Sequence, residues 1–123
     1  MAKPGNTGIR RIVRATVYSV QGFAHAWRHE AAFRQEVALA LVLAPFGWWL
    51  GTTPLERTML IGSAVFVLIV ELLNSAVEAA VDRHGDELHE LSGRAKDLGS
   101  AAVMLSLVLL AALWASVAYQ RFF

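Results

Sequence analysis

The chain has 123 residues, room for one domain, and a formal net charge of +1. Hydrophobic residues make up 56% and charged residues 17%, against about 45–50% and roughly 25% in an average soluble domain, and the basic excess of a nucleic-acid binder is missing. The absence of cysteine excludes disulfides, thiolate nucleophiles and cysteine-built metal sites.

Residues 1–7 read as a loose terminus broken by Pro4 and Gly5. The first hydrophobic run is not close enough behind Met1 for a cleavable leader, so it is expected to stay in the protein. From about residue 8 to 28, Ile9, Ile12, Val13, Val17, Val20, Phe23, Ala24 and Trp27 recur at spacings of three and four. Arg10, Arg11, Arg14, Gln21, His25 and Arg28 fall largely between them. That pattern predicts an amphipathic helix with a basic side, lying in the headgroup plane of a bilayer.

Residues 31–50 form the first expected span. Its apolar run, Val37 to Leu50, is interrupted only by Pro45 and Gly47, and the helix begins early enough to bring Glu36 to the membrane boundary. Trp48 and Trp49 stand where an interfacial aromatic belt belongs, and residues 51–54 form a turn. Residues 55–82 are the second span, nearly free of polar groups from Met59 to Val70 and then interrupted by Glu71, Asn74, Ser75 and Glu78. Asp82 to Asp97 is the most polar stretch and is expected to be an aqueous loop. Residues 97–120 form the third span, with Trp114, Tyr119, Phe122 and Phe123 toward its outer end. Lys3, Arg10, Arg11, Arg14, Arg28, Arg34, Arg83, Arg94 and Lys96 fall on one side, and only Arg57 and Arg121 on the other. The bias places the N-terminus and the second loop in the cytoplasm.

A carboxylate inside a membrane helix is costly and signals function. At about 100° per residue, Glu71, Asn74, Ser75, Glu78 and Asp82 share one narrow stripe running to the cytoplasmic edge. Acidic groups so close repel one another, so a cation must offset them or some must be protonated. Magnesium is the natural candidate, being a hard cation that takes carboxylate oxygens and arrives with nucleotide phosphates. Lys96 and Asp97 open the third span at the same level, Arg94 lies beside them, and Glu30 and Glu36 flank the first span there. Catalysis, transport along an ion path, and simple structural pairing are all compatible with this stripe. No P-loop is present, and the histidines form no metal-binding pattern.

The run Glu71-Leu-Leu-Asn74-Ser75-Ala-Val-Glu78-Ala-Ala-Val81-Asp82 resembles the signature of the prokaryotic integral-membrane diacylglycerol kinases, E-x-x-N-[ST]-A-x-E-x-x-V-D. Two further stretches are similar to that family: Ala26 to Glu36, and His89 to Ala102. The resemblance implies a homotrimer with composite sites between subunits, and transfer of the γ-phosphate of MgATP to the hydroxyl of diacylglycerol in a bacterial inner membrane. It implies Glu71 as the general base and Glu30 and Glu78 as metal-binding carboxylates. Arg11, Tyr18, Ser19, Glu30, Glu78, Glu87, His89, Lys96 and Asp97 match positions near the nucleotide, and Arg11, Glu36, Glu71, Asn74 and Ser100 positions near the lipid. Thr16 stands where a small alanine is common. An undecaprenol kinase carries the same type of signature, so it remains the nearest alternative. A small transporter or proton-coupled channel subunit is the alternative from another class.

Overall fold

The computed structural model describes residues 7–83 and 90–123. Among these residues the structure is all-helical, with four helices in chain order: α1 (Gly8–His29), α2 (Ala31–Leu50), α3 (Pro54–Asp82) and α4 (Glu90–Phe122). The sequence bounds agree closely for the first three. The fourth begins well before the expected residue 97, so Glu90 to Lys96, read as loop, is helical. Outside hydrocarbon a helix needs no apolar stripe, and this turn is held instead by an Arg94–Glu90 ion pair of 3.2 Å at i,i+4 spacing. Glu87 and His89 lie outside the described residues.

Two helices, α3 and α4, are long and apolar enough to cross a membrane. Their 29 and 33 residues correspond to about 44 and 50 Å at 1.5 Å per residue, well beyond about 30 Å of hydrocarbon. The surplus carries the polar ends. Glu71 lies about 26 Å along α3 from Pro54, close to where a 30 Å core would end.

Helix termini fix the connections. A single extended residue, Glu30, separates α1 from α2. Its neighbour Arg34 donates from Nη1 to the Trp27 carbonyl at 2.7 Å and satisfies the end of α1. α2 continues through Pro45 and ends at Gly51. Arg57 donates from Nε to the carbonyls of Trp48 (3.0 Å) and Gly51 (3.1 Å). Arg121, arriving from α4, donates from Nη1 to the carbonyls of Trp49 (2.5 Å) and Leu50 (2.9 Å). The two guanidiniums also lie over the rings of Trp48 and Trp49, at 4.4 and 4.8 Å. Both therefore serve the negative end of one helix dipole, a role that charge counting does not reveal. Thr53 caps α3, accepting from Glu56 N at 3.1 Å, with Pro54 at the first helical position.

The packed core sits at this end of the molecule, built on Leu50, Leu60 and Val117 with Trp114 and Ala118 against them. Trp114, which the sequence places toward the outer end of its span, turns inward. Its indole N–H donates to the Leu60 carbonyl and to Ser63 Oγ, each at 3.2 Å, and a buried indole needs such a partner. Gly47 lets three helices meet here. A Cβ at that position would stand 3.2 Å from Ile61 Cγ1, 3.3 Å from Leu60 Cβ and 3.4 Å from Trp114 Cη2.

Replacing Arg121 by alanine should therefore loosen α2 from α4. The loss of charge-assisted bonds to two carbonyls is expected to cost about 1–2 kcal/mol. It is read as a lower unfolding midpoint in detergent, with the chemistry at the opposite end unchanged in kcat.

Candidate active site

The opposite ends of the long helices hold the acidic groups. α3 is nearly free of polar groups from Met59 to Val70, then presents Glu71, Asn74, Ser75 and Glu78 within two turns. Glu71 is 4% exposed, the only carboxylate fully buried among the described residues. It interacts electrostatically with Glu78 and Glu30 and lies close to the Asn74 amide. Glu36 of α2 also feels the charge of Glu71. Four carboxylates from α2, α3 and the α1–α2 joint thus converge on one region.

Asn74 organises the centre of the group. Its Nδ2 donates to Glu78 Oε1 at 3.2 Å. Its Oδ1 is buried without a hydrogen-bond partner, as is Glu36 Oε2. Nearer the polar end, Lys96 of α4 binds Asp82 of α3, Nζ to Oδ1 at 2.7 Å. The same ammonium interacts with Glu78. Both partners of the ion pair are about half exposed, so the pair positions charge more than it stabilises the fold.

The predicted stripe therefore divides. Glu71, Asn74 and Glu78 share one cluster with Glu30 and Glu36, with Lys96 and Asp82 at its margin. Ser75 turns to a separate cleft of about 410 Å³ between α1 and α3. Ser19, His25 and Glu30 line the α1 side of that cleft, with Leu72, Ser75, Ala76 and Ala79 opposite. Glu30 borders both regions. Arg11, Thr16, Tyr18, Asp97 and Ser100 are exposed, and among the described residues no hydrogen bond or ion pair joins them to the cluster. Thr16 Oγ1 and Ser19 Oγ donate back to the carbonyls of Ile12 (2.9 Å) and Ala15 (2.8 Å) within α1.

The donor set suits a hard cation, since every converging group offers oxygen. Among the described residues no three acidic or histidine side chains are gathered closely enough to hold a metal by themselves. Magnesium tolerates that, because it keeps several waters and takes further oxygens from phosphate.

The sequence alone gives Gly99 no role beyond its place in the stretch His89 to Ala102. In the structure it faces the Asn74 carboxamide: a Cβ placed on it would fall on Asn74 Oδ1. Its position one turn after Lys96, at the level of the α3 signature, was the available signal.

Known proteins resemble the chain over most of its length. The family model for prokaryotic diacylglycerol kinase matches residues 17–118. A diacylglycerol kinase of Escherichia coli strain K12 is 47% identical over 116 residues, covering 94% of this chain and 95% of that protein. One from Pseudomonas aeruginosa is 50% identical over 113 residues, 92% of each chain. One from Haemophilus influenzae is 46% identical over 113 residues, covering 92% and 96%. With the match spanning both the carboxylate cluster and the packed core, the chain belongs to the prokaryotic diacylglycerol kinase family.

Proposed function

We propose that the chain transfers the γ-phosphate of MgATP to the free hydroxyl of diacylglycerol, giving phosphatidic acid, with Glu71 as the general base. The observation that carries this reading is a buried carboxylate near the membrane boundary, set among Asn74, Glu78, Glu30 and Glu36. An alcohol is a weak nucleophile at neutral pH, so a proton acceptor within hydrogen-bond reach is needed. Glu71 would accept the hydroxyl proton on a carboxylate oxygen as the new oxygen–phosphorus bond forms. The bond from the γ-phosphorus to the bridging oxygen breaks, and ADP carries away the charge.

Phosphoryl transfer depends on positioning and charge neutralisation more than on covalent help. Glu30 and Glu78 would hold magnesium, which when bound offsets the charge of the triphosphate. Asn74 fixes the Glu78 carboxylate. Lys96 carries three N–H donors and spends one on Asp82, leaving two for phosphate. Arg11, Tyr18, Ser19, Glu87, His89 and Asp97 are assigned to the nucleotide side. Glu36, Asn74 and Ser100, with Arg11, are assigned to the lipid side.

The working unit is proposed to be a homotrimer with sites shared between subunits. Two observations support it: among the described residues no three acidic or histidine side chains of one chain gather closely enough to hold a metal, and α4 stays exposed along most of its apolar length. All of α2, α3 and α4 are proposed to span the bacterial inner membrane as a single domain, with the N-terminus in the cytoplasm. α1 would lie on that face, since Ile9, Ile12, Val13, Val17, Val20, Phe23 and Trp27 leave its apolar side uncovered.

The test is phosphate transfer from labelled ATP in detergent micelles containing magnesium and either diacylglycerol or undecaprenol. Diacylglycerol is expected to be the better acceptor. Faster transfer to undecaprenol would reassign the substrate to a polyprenyl alcohol. Transfer to neither lipid would remove the kinase reading and leave a carrier built on the same carboxylates.

A further inference from the structure

The contact between α3 and α4 beside the cluster is unusual in its chemistry. Asn74 belongs to α3 and sits against Gly99 of α4, where any side chain would meet the amide oxygen. The orientation of that amide is fixed from its other end. A carboxylate oxygen accepts and an amide NH₂ donates, and Asn74 presents its NH₂ to Glu78 Oε1 at 3.2 Å. Oδ1 then necessarily faces Gly99, and it is buried there without a partner.

A Cβ at Gly99 would force the amide aside. A side-chain tip normally yields at little cost, but this tip is not free. Rotating it away breaks the bond to Glu78 and moves an amide that lies close to Glu71. Two exposed glycines of the same helices, Gly62 of α3 and Gly93 of α4, carry no such constraint. A Cβ at Gly62 or Gly93 would meet nothing within 4 Å.

We propose that Gly99 is a positioning residue for phosphoryl transfer: its bare backbone is the wall against which the Asn74 carboxamide is held toward Glu78. Gly99 acts through Asn74 and touches no reacting atom. The inference rests on the roles assigned above to Asn74 and Glu78.

Gly99→Ala is expected to lower kcat by on the order of 10²-fold, the scale of an ångström's displacement in an active site, with the KM for lipid little changed. Gly62→Ala, the matched control, should keep full activity. A second readout needs no turnover. The chain contains two asparagines, Asn6 and Asn74, so selective ¹⁵N labelling of asparagine side chains gives two amide groups. Gly99→Ala should move the Asn74 amide resonance and leave that of Asn6 in place. If the variant folds poorly, the clash itself becomes the test: adding Asn74→Ala should restore the unfolding midpoint to that of Asn74→Ala alone, a non-additive cycle.

Full activity in Gly99→Ala, an activity loss with an unmoved Asn74 resonance, or destabilisation that persists in the double variant would each overturn the proposal. Failure of the underlying reading looks different: Asn74→Ala and Glu78→Gln would then themselves be fully active.

Discussion

Glu71→Gln is expected to reduce kcat for phosphoryl transfer by on the order of 10²–10⁴-fold, the usual worth of a positioned general base, while the protein stays folded. Glutamine keeps the shape and removes the proton acceptor. The stability half of the prediction follows from the surroundings. Glu71 interacts with the negative charges of Glu78, Glu30 and Glu36 and lies close to one neutral amide. Among the described residues no cation is paired with it. Removing its charge relieves repulsion instead of breaking a bridge, so the unfolding midpoint in detergent should hold or rise. A structural ion pair would behave in the opposite way, because deleting one partner leaves a buried charge uncompensated. Unimpaired turnover in Glu71→Gln removes it from the base role. Loss of turnover together with a fallen midpoint would return the residue to a structural one.

Much of the architecture was legible because membrane helices advertise themselves. Continuous apolar runs end at Gly51 and Pro54, and amphipathic spacing marks α1. Where legibility failed, the signal was of another kind. Glu90 to Lys96 looks like loop because water-exposed helix needs no apolar periodicity, and the Arg94–Glu90 pair that supports it is common in loops as well. Trp114 looks like a belt residue by position, and only its two hydrogen bonds mark it as core. Arg57 and Arg121 entered the reading as charges to be counted. Their reach of nine and about seventy residues back to the α2 carbonyls is a tertiary fact.

The acidic cluster was legible in part. Helical spacing alone aligns Glu71, Asn74 and Glu78, and the structure joins them to Glu30 and Glu36. Spacing within one helix says nothing of what lies across from it. Ser75, only one residue from Asn74, faces the cleft under α1, and Gly99 carries no side chain to draw notice. The site roles of Arg11, Tyr18 and Ser100 came from resemblance rather than from any pattern in the chain, whereas Asp97 was marked by its place beside Lys96 at the level of the acidic stripe; all four are exposed.

The proposed magnesium dependence separates the remaining acidic roles. Glu78 accepts from Asn74 and feels Lys96, so its carboxylate is held in place with one oxygen committed and the other free to bind. Glu30 is fixed differently, as the lone extended residue between two helices, with its backbone N–H bonded to the Ala26 carbonyl at 2.9 Å. Glu78→Gln should raise the magnesium concentration for half-maximal activity by at least about tenfold, since even groups that merely support a ligand are worth 10–100-fold in metal affinity. Glu30→Gln should move it the same way. Lys96→Met should act elsewhere: it removes a donor to phosphate, so the KM for ATP rises while the magnesium curve, taken at saturating nucleotide, stays put. The contrast matters more than any one value. A carboxylate that only repels its neighbours would leave the magnesium curve where it was, and a curve unmoved by both glutamate variants would detach Glu30 and Glu78 from the cation.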